Sequence, residues 1–244
     1  MKNKIVNYKE FFKGKKITVM GLGLLGRGVG DAMFLAECGA ELIITDLKSK
    51  ADLKASLLKL KKYKNIKYVL GEHRLEDFKN RDMVLKAAGV PLDSVYIAEA
   101  HKNKIPVEMS AALFARFSGV PMIGVTGTRG KSTVTHLIAH LLKKSGQKVI
   151  LGGNVQGVSN LQLLKETKKG GVAVFELDSW QLQGFGTAKI SPNVAVFTTF
   201  FPDHMKYYGS TGSPQVAMQK YYADKANIFK YQNKNDLLVI GAQA

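Results

Sequence analysis

The sequence predicts an α/β fold of two domains, each built on a parallel sheet. Short apolar runs of strand length alternate with stretches of helical spacing along the whole chain, as consecutive strand–helix–strand units do. Two glycine-rich turns, Gly21–Gly26 and Gly124–Thr133, each stand between such a run and a helical stretch. Phe117–Pro121, carrying Ser118, Gly119 and Pro121, separates the two series and marks a boundary. The first domain is expected over residues 1–118 and the second over 119–244.

The first series opens with Lys16–Met20, an apolar run ending in glycines and hence a buried strand. Gly26–Cys38 has helical spacing, and Gly39 stops it. Glu41–Thr45 is the next strand, closed by Asp46. Asp52–Tyr63 is an amphipathic helix, Lys67–Leu70 a third strand and Asp82–Lys86 a fourth. Ser94–Lys102 and Ser110–Phe117 are helical. In the second series Pro121–Val125 is a strand and Lys131–Lys144 a helix. Lys148–Leu151, Gly171–Leu177 and Asn193–Phe200 are further strands, Gln215–Tyr231 is helical and Asp236–Ile240 is a strand. The chain stops directly after it, so the second domain is expected to be incomplete.

Composition narrows the function classes. Hydrophobic residues make up 45% of 244, enough for an ordinary core. The longest apolar runs, such as Asn193–Phe201, fall far short of the ~20 residues that span a bilayer. Met1–Lys16 is polar and lysine-rich, unlike a signal peptide. Cys38 is the single cysteine, which fits a reducing cytoplasm. The net charge of +17 raises nucleic acid as a partner. However, the lysines are spread along the chain, and no aromatic interleaving accompanies them. The densest group, Lys59, Lys61, Lys62, Lys64 and Lys67, reads as the exposed face and end of one helix. No nucleic-acid or membrane partner is expected.

The strongest chemical signal is Gly124-Val-Thr-Gly-Thr-Arg-Gly-Lys-Ser-Thr133. Gly127 and Gly130 let backbone N–H groups turn toward phosphate oxygens, and the helix that follows adds partial positive charge. Lys131 supplies a full charge for the β- and γ-phosphates, and Ser132 can place its hydroxyl on Mg²⁺. The strict pattern with glycine five positions before Gly130 is not met, since Val125 stands there; the shorter form runs from Gly127 to Ser132. Nucleotide binding is assigned to Gly127, Thr128, Arg129, Gly130, Lys131, Ser132 and Thr133.

Gly21-Leu22-Gly23-Leu24-Leu25-Gly26 follows the first strand, with Asp46 twenty residues beyond Gly26 at the end of the second. This is the dinucleotide fingerprint. The same geometry can hold any diphosphate. A UDP-type ligand, NAD(P) and purely structural glycines all remain open, the first favoured because a second nucleotide loop follows. Glu176 ends one strand of the second series and His204 follows another, where a parallel sheet places phosphate and metal chemistry. Lys225 lies in a helical stretch. Trp180, Tyr207, Tyr208, Tyr221 and Tyr222 read as packing.

Taken together, these segments resemble the Mur ligase family. The likeness runs through Gly-Leu-Gly at 21–23, Ala-Gly-Val-Pro-Leu at 88–92 and the loop at 124–133. It continues through Gly-Gly-Asn at 152–154, Glu-Leu-Asp-Ser-Trp-Gln-Leu at 176–182, Phe-Pro-Asp-His-Met at 201–205 and Ala-Asp-Lys-Ala-Asn-Ile-Phe at 223–229. The resemblance implies a Rossmann-like first domain and a P-loop-type central ATPase domain, with a third domain absent from this chain. It implies an ATP-dependent ligase of the bacterial cytoplasm, acting as a monomer in peptidoglycan precursor synthesis. ATP would phosphorylate the carboxylate of UDP-N-acetylmuramoyl-L-alanine, and the amine of D-glutamate would attack the acyl phosphate. Lys131, His204 and Lys225 would be catalytic. Ser132, Glu176, His204 and a carbamylated Lys225 would serve Mg²⁺. Asn154, Gly21–Gly26 and Asp46 would hold the sugar-nucleotide substrate. The chain departs from the family's usual pattern at Arg129, Asp178, Thr199 and Ala87-Ala88-Gly89. A family member adding a different amino acid, and an NAD-dependent oxidoreductase, are the alternatives. Without the third domain, the chain alone is expected to be inactive.

Overall fold

The computed structural model describes residues 7–24, 26–208 and 213–243. The chain forms two compact units. One comprises the residues up to Phe117 together with Gln156–Leu164; the other comprises Ser118–Val155 and Lys165–Ala244. The excursion of Gln156–Leu164 into the first unit leaves no mark in the sequence pattern.

In the first unit, α1 (Tyr8–Phe12) precedes β1 (Lys16–Met20), α2 (Arg27–Glu37), β2 (Glu41–Asp46) and α3 (Lys54–Leu60). β3 (Ile66–Leu70), β4 (Met83–Lys86), α4 (Val95–Lys102), β5 (Val107–Glu108) and α5 (Ser110–Phe117) follow. The strands form a five-stranded parallel sheet in the order β3-β2-β1-β4-β5. Ile17, Val19, Ile44, Val84 and Leu85 are buried, because a sheet joined by helical crossovers is covered on its faces. β1 lies between β2 and β4, where the strand order reverses. Its carboxyl end is therefore a topological switch point, the usual ligand crevice of such sheets.

The segment 156–164 is fastened to α2 by a buried carboxylate. Asp31 accepts hydrogen bonds from the Ser159 hydroxyl at 2.6 Å and the Leu161 amide at 3.2 Å. Burial raises its pKa above the ordinary 3.8, against the opposing effect of hydrogen bonds from Ser159, Leu161 and Ser110 and of the Arg27 charge. A side chain at Gly30 would collide with Ser159, so this approach needs glycine.

The second unit contains β6 (Met122–Thr126), α6 (Lys131–Lys144), β7 (Val149–Gly153), β8 (Val172–Glu176), α7 (Ser179–Ala188) and β9 (Val194–Thr199). α8 (Met205–Tyr208), α9 (Pro214–Ala226) and β10 (Leu237–Gln243) complete it. Its five parallel strands run in the order β10-β9-β6-β8-β7. All carboxyl ends therefore share one edge, to which β6 delivers its loop between β8 and β9.

Several elements differ from the sequence expectation. α3 is shorter, because Asp52 accepts hydrogen bonds from the backbone and hydroxyl of Ser49 and holds the preceding residues in a turn. α9 ends at Ala226 rather than Tyr231: the Ser191 hydroxyl donates to Asn227 O and accepts from the Tyr231 amide, drawing that stretch into turns. The lysine group is not the face of one helix. Lys59 lies in α3 and Lys67 on β3, since Ile66–Leu70 pairs with β2. α7 was hidden by Gly184 and Gly186, which weaken its helical pattern. Its start is nevertheless marked by Asp178, whose carboxylate accepts from the Gln181 amide at 2.7 Å. α1 and β5 are too short to register as periodic. Among the described residues no helix is long and apolar enough to cross a membrane.

Candidate functional site

The second unit's loop is built by lashing a glycine turn to the end of β9. The Thr128 amide donates to Thr199 O at 2.8 Å, and the Arg129 amide donates to Thr199 Oγ1 at 2.9 Å. Two positions that depart from the family pattern, Arg129 and Thr199, are thus in contact. Gly127 has φ 144°, and a Cβ there would meet Thr198 Oγ1 and the Thr199 backbone, so the turn requires glycine. Gly130, at φ 82°, opens α6 without a side-chain cap. The first amides of this helix thus face the turn with no capping carboxylate or hydroxyl from Gly130, as suits an incoming anion.

Lys131 curls back over its own loop, donating to Gly127 O at 3.1 Å and Thr128 O at 3.0 Å. Lys225, reaching up from α9, donates to the same Gly127 O at 2.8 Å. Its side chain is 1% exposed, and its ammonium lies 4.8 Å from the centre of the Tyr221 ring. Burial first, and the Lys131 charge second, push its pKa down to about 7, while Asp178 and Asp203 act in the opposite direction. Tyr221 is buried, as its packing role requires, but its hydroxyl also stands 3.3 Å from Thr128 Oγ1.

Glu176 ends β8, where its neighbour in register is Val125, two residues before Gly127. Asn154 is hung on it twice: its amide N–H donates to Glu176 O at 2.7 Å and its side-chain nitrogen to Glu176 Oε1 at 3.2 Å. Gly153 makes this possible, since a Cβ there would run into the Glu176 backbone. His204 takes a left-handed conformation, φ 56°, and packs its ring 4.7 Å from Trp180 and 6.2 Å from Tyr221. Ser132 and Thr133 stand exposed in the first turn of α6. Lys131, Lys225, Thr128 and Tyr221 therefore form one directly connected group, His204 joins it through aromatic contacts, and Glu176 with Asn154 stands at the same sheet edge.

Behind this edge a polar network braces α7, α8 and α9. Asp224 accepts from the Tyr208 hydroxyl and from the Gln183 side chain, both at 2.8 Å. Burial, then the Asp224 charge, pushes the Tyr208 hydroxyl far above its ordinary pKa.

Among the described residues no three His, Cys, Asp or Glu side chains cluster closely enough to hold a metal. The donors present are a hydroxyl, Ser132, and a carboxylate, Glu176, held in place by Asn154. That set suits Mg²⁺, a hard ion commonly held by one or two carboxylates, substrate phosphates and water.

In the first unit, the turn after β1 is organised by Asp46. Its Oδ2 accepts from the Leu22 amide at 2.8 Å and the Gly23 amide at 3.1 Å, and its Oδ1 accepts from the Lys48 amide at 2.9 Å. Two backbone donors of the turn thus already face a resident carboxylate. Gly21, Gly23 and Gly26 all have positive φ. Leu22 is buried, Leu24 is exposed, and Leu25 lies outside the described residues. Sequence reading missed Gly28, whose absent Cβ lets α2 approach the Leu22 carbonyl. It is the final residue of G-x-G-x-x-x-x-G spacing, but only the close approach distinguishes it from any helical glycine.

Comparison with known proteins decides the family. The family model described as Mur ligase middle domain matches residues 125–244, and that described as Mur ligase MurD-like, N-terminal domain matches residues 15–108. The chain belongs to the Mur ligase family. A UDP-N-acetylmuramoylalanine--D-glutamate ligase of Roseiflexus sp. is 37% identical over 95% of this Mur ligase chain and 48% of its own length. One of the same name from Treponema pallidum is 34% identical over 96% of the chain and 45% of its own. The chain thus spans about half the length of the curated relatives it matches. Among solved structures, a pseudomurein peptide ligase type C from Methanothermus fervidus is similar over 92% of the chain and 44% of its own, with 23% identity and a TM-score of 0.38.

Sequence reading singled out the glycine loops, Glu176, His204 and Lys225 but not the residues packed around them. Thr198 and Tyr221 carried no motif of their own; only the convergence of β6, β9 and α9 brings them to the loop. Thr199 and Asp178 were visible as departures. In the folded chain Thr199 accepts from the loop backbone, and Asp178 caps α7.

Proposed function

We propose that this Mur ligase chain carries the sugar-nucleotide and ATP sites of a ligase that joins D-glutamate to UDP-N-acetylmuramoyl-L-alanine in the bacterial cytoplasm. The observation that carries the reading is the convergence of Lys131 and Lys225 on the Gly127 carbonyl at the mouth of a glycine loop. The Lys131 ammonium, resting on two loop carbonyls that it can exchange for phosphate oxygens, gives an oligophosphate a charge-assisted partner at this loop.

In this reading the loop amides and the α6 terminus bind the ATP phosphates. Lys131 leaves its carbonyl partners to lie along the β- and γ-phosphates. The substrate carboxylate attacks the γ-phosphorus, ADP departs and an acyl phosphate forms. The amine of D-glutamate then adds to the acyl carbon and phosphate leaves. Ser132 and Glu176 would hold Mg²⁺, which supplies charge neutralisation at the phosphates. Asn154 holds the Glu176 carboxylate by a hydrogen bond, and His204 packs against Trp180 and Tyr221. The family resemblance implies carbamylation of Lys225, in which the amine adds to CO₂ and loses a proton. An amine already pushed toward neutrality by burial favours that addition. In the first unit the turn at Gly21–Gly26, ordered by Asp46, receives the uridine diphosphate end of the substrate.

Isothermal titration of the chain with ATP·Mg²⁺, UDP-N-acetylmuramoyl-L-alanine and NADH tests the reading. Saturable binding of the first two, with none of NADH, is expected. Binding of NADH in preference to the UDP-sugar would overturn it.

A further inference from the structure

We propose that Lys86 is a positioning residue of the first unit's ligand crevice, holding the turn Ala87–Val90 against the glycine loop; the ligand it serves rests on the sugar-nucleotide reading above. Lys86 ends β4 and is 3% exposed. A buried ammonium costs free energy unless hydrogen bonds compensate it. Its Nζ donates to Val90 O at 2.8 Å, with Ala87 O at 3.5 Å. The Val90 amide closes the same turn onto Ala87 O at 3.1 Å.

The turn is one wall of the switch point. Met20, the last residue of β1, is in register with Thr45 on one side and Lys86 on the other. The next residue, Gly21, donates its amide to Thr45 O, and the Ala87 amide donates to Met20 O, each at 2.9 Å. A Cβ added to Gly21 would stand 3.0 Å from Ala87 Cβ and 3.8 Å from Val90 Cγ2, so loop and turn are already in contact distance. The loop is thus tied by Asp46 on its β2 side and walled by the Lys86-held turn on its β4 side. Here Ala87-Ala88-Gly89 departs from the family pattern, and small side chains make few contacts of their own. The lysine supplies from below the hold that they lack.

The test uses the 244-residue chain with Lys86→Met, Lys86→Gln and Lys86→Arg. Glutamine keeps an N–H donor for Val90 O and removes the charge; methionine removes both. Lys86→Met is expected to weaken binding of UDP-N-acetylmuramoyl-L-alanine by about tenfold or more, with ATP·Mg²⁺ affinity changed by less than about twofold, while Lys86→Gln recovers most of the loss. Lys86→Met binding the UDP-sugar as the parent does overturns the proposal. So does a loss in Lys86→Gln that only Lys86→Arg repairs, since that assigns the lysine to charge and not to the turn. Should Lys86→Met fail to fold, parental affinity in Lys86→Gln supports the proposal and its loss overturns it. If the parent chain binds no UDP-sugar, the functional reading fails by itself. Positioning is then read from the amide resonances of Gly21, Gly23 and Val90: a shift in Lys86→Met that Lys86→Gln reverses supports it, and unmoved resonances overturn it.

Discussion

Lys131 and Lys225 share one acceptor: both ammonium groups donate to the carbonyl oxygen of Gly127, at 3.1 and 2.8 Å. Lys131 comes from the helix that the loop opens, and Lys225 from a helix almost a hundred residues later. The two like charges oppose each other, which contributes to the lowered pKa of Lys225. An anion at the loop relieves that opposition.

Lys131→Ala removes the more accessible of the two cations. ATP·Mg²⁺ affinity should fall roughly ten- to a hundredfold, the worth of one or two charge-assisted hydrogen bonds. Calorimetry with ATP and with the UDP-sugar checks it. Unchanged ATP affinity would remove Lys131 from the site, whereas loss of both ligands would indicate a folding defect.

Gly127→Ala should be among the most damaging loop substitutions. Its φ of 144° and the Thr199 backbone, 2.9 Å from an added Cβ, leave no room for a side chain. Strain alone costs about 1–3 kcal/mol. Gly146→Ala is the control, having φ 81° but nothing within 4 Å. Urea unfolding and ATP titration should show both properties impaired in the first variant. In the second, stability alone should fall, by about 1–2 kcal/mol.

Asp46→Ala leaves the amides of Leu22, Gly23 and Lys48 without their carboxylate. Orphaned buried donors cost about 1–3 kcal/mol. The melting temperature should drop and UDP-sugar affinity with it, while ATP affinity holds. A variant that melts like the parent would show the turn to be ordered by other means.

Asp31 carries a pH signature. Its folded pKa is raised above 3.8 by burial, so the folded state holds this proton more tightly than the unfolded chain does. The stability it contributes is complete below the ordinary pKa and is lost as pH rises through the folded value. Asp31→Asn keeps an acceptor for Ser159 and removes the titration. Subtracting the variant's unfolding free energy from the parent's, from pH 4 to pH 8, should give a difference that declines as pH rises. A flat difference would contradict the raised pKa. Protease sensitivity confined to Gln156–Leu164 in Asp31→Ala would show the carboxylate fastening that segment.

Much of the architecture was legible because a parallel sheet writes itself locally. Val84 and Val174 sit in short apolar runs, and Arg27–Glu37 and Lys131–Lys144 have helical spacing. Gly127, Gly130 and Lys131 carry the pattern of a phosphate loop because that pattern fits within one turn of chain. Glu176, His204 and Lys225 were less legible singly, and became so only as an ordered set resembling a family. The helix at Ser179–Ala188 was obscured by its own glycines, and the overlong reading of Gln215–Tyr231 by polar residues that suit helix and turn alike.

Local sequence alone determined where the strands and most helices lie, which turns are rich in glycine and which side chains carry charge, since these depend on composition and apolar spacing over a few residues. Only the tertiary structure decided that Asp46 binds the turn it follows by more than twenty residues, that Thr199 receives the Arg129 amide, and that Lys225 and Lys131 meet at one oxygen. Those pairings are set by strand order and register. Strand order joins residues far apart in the chain, and no local pattern encodes it.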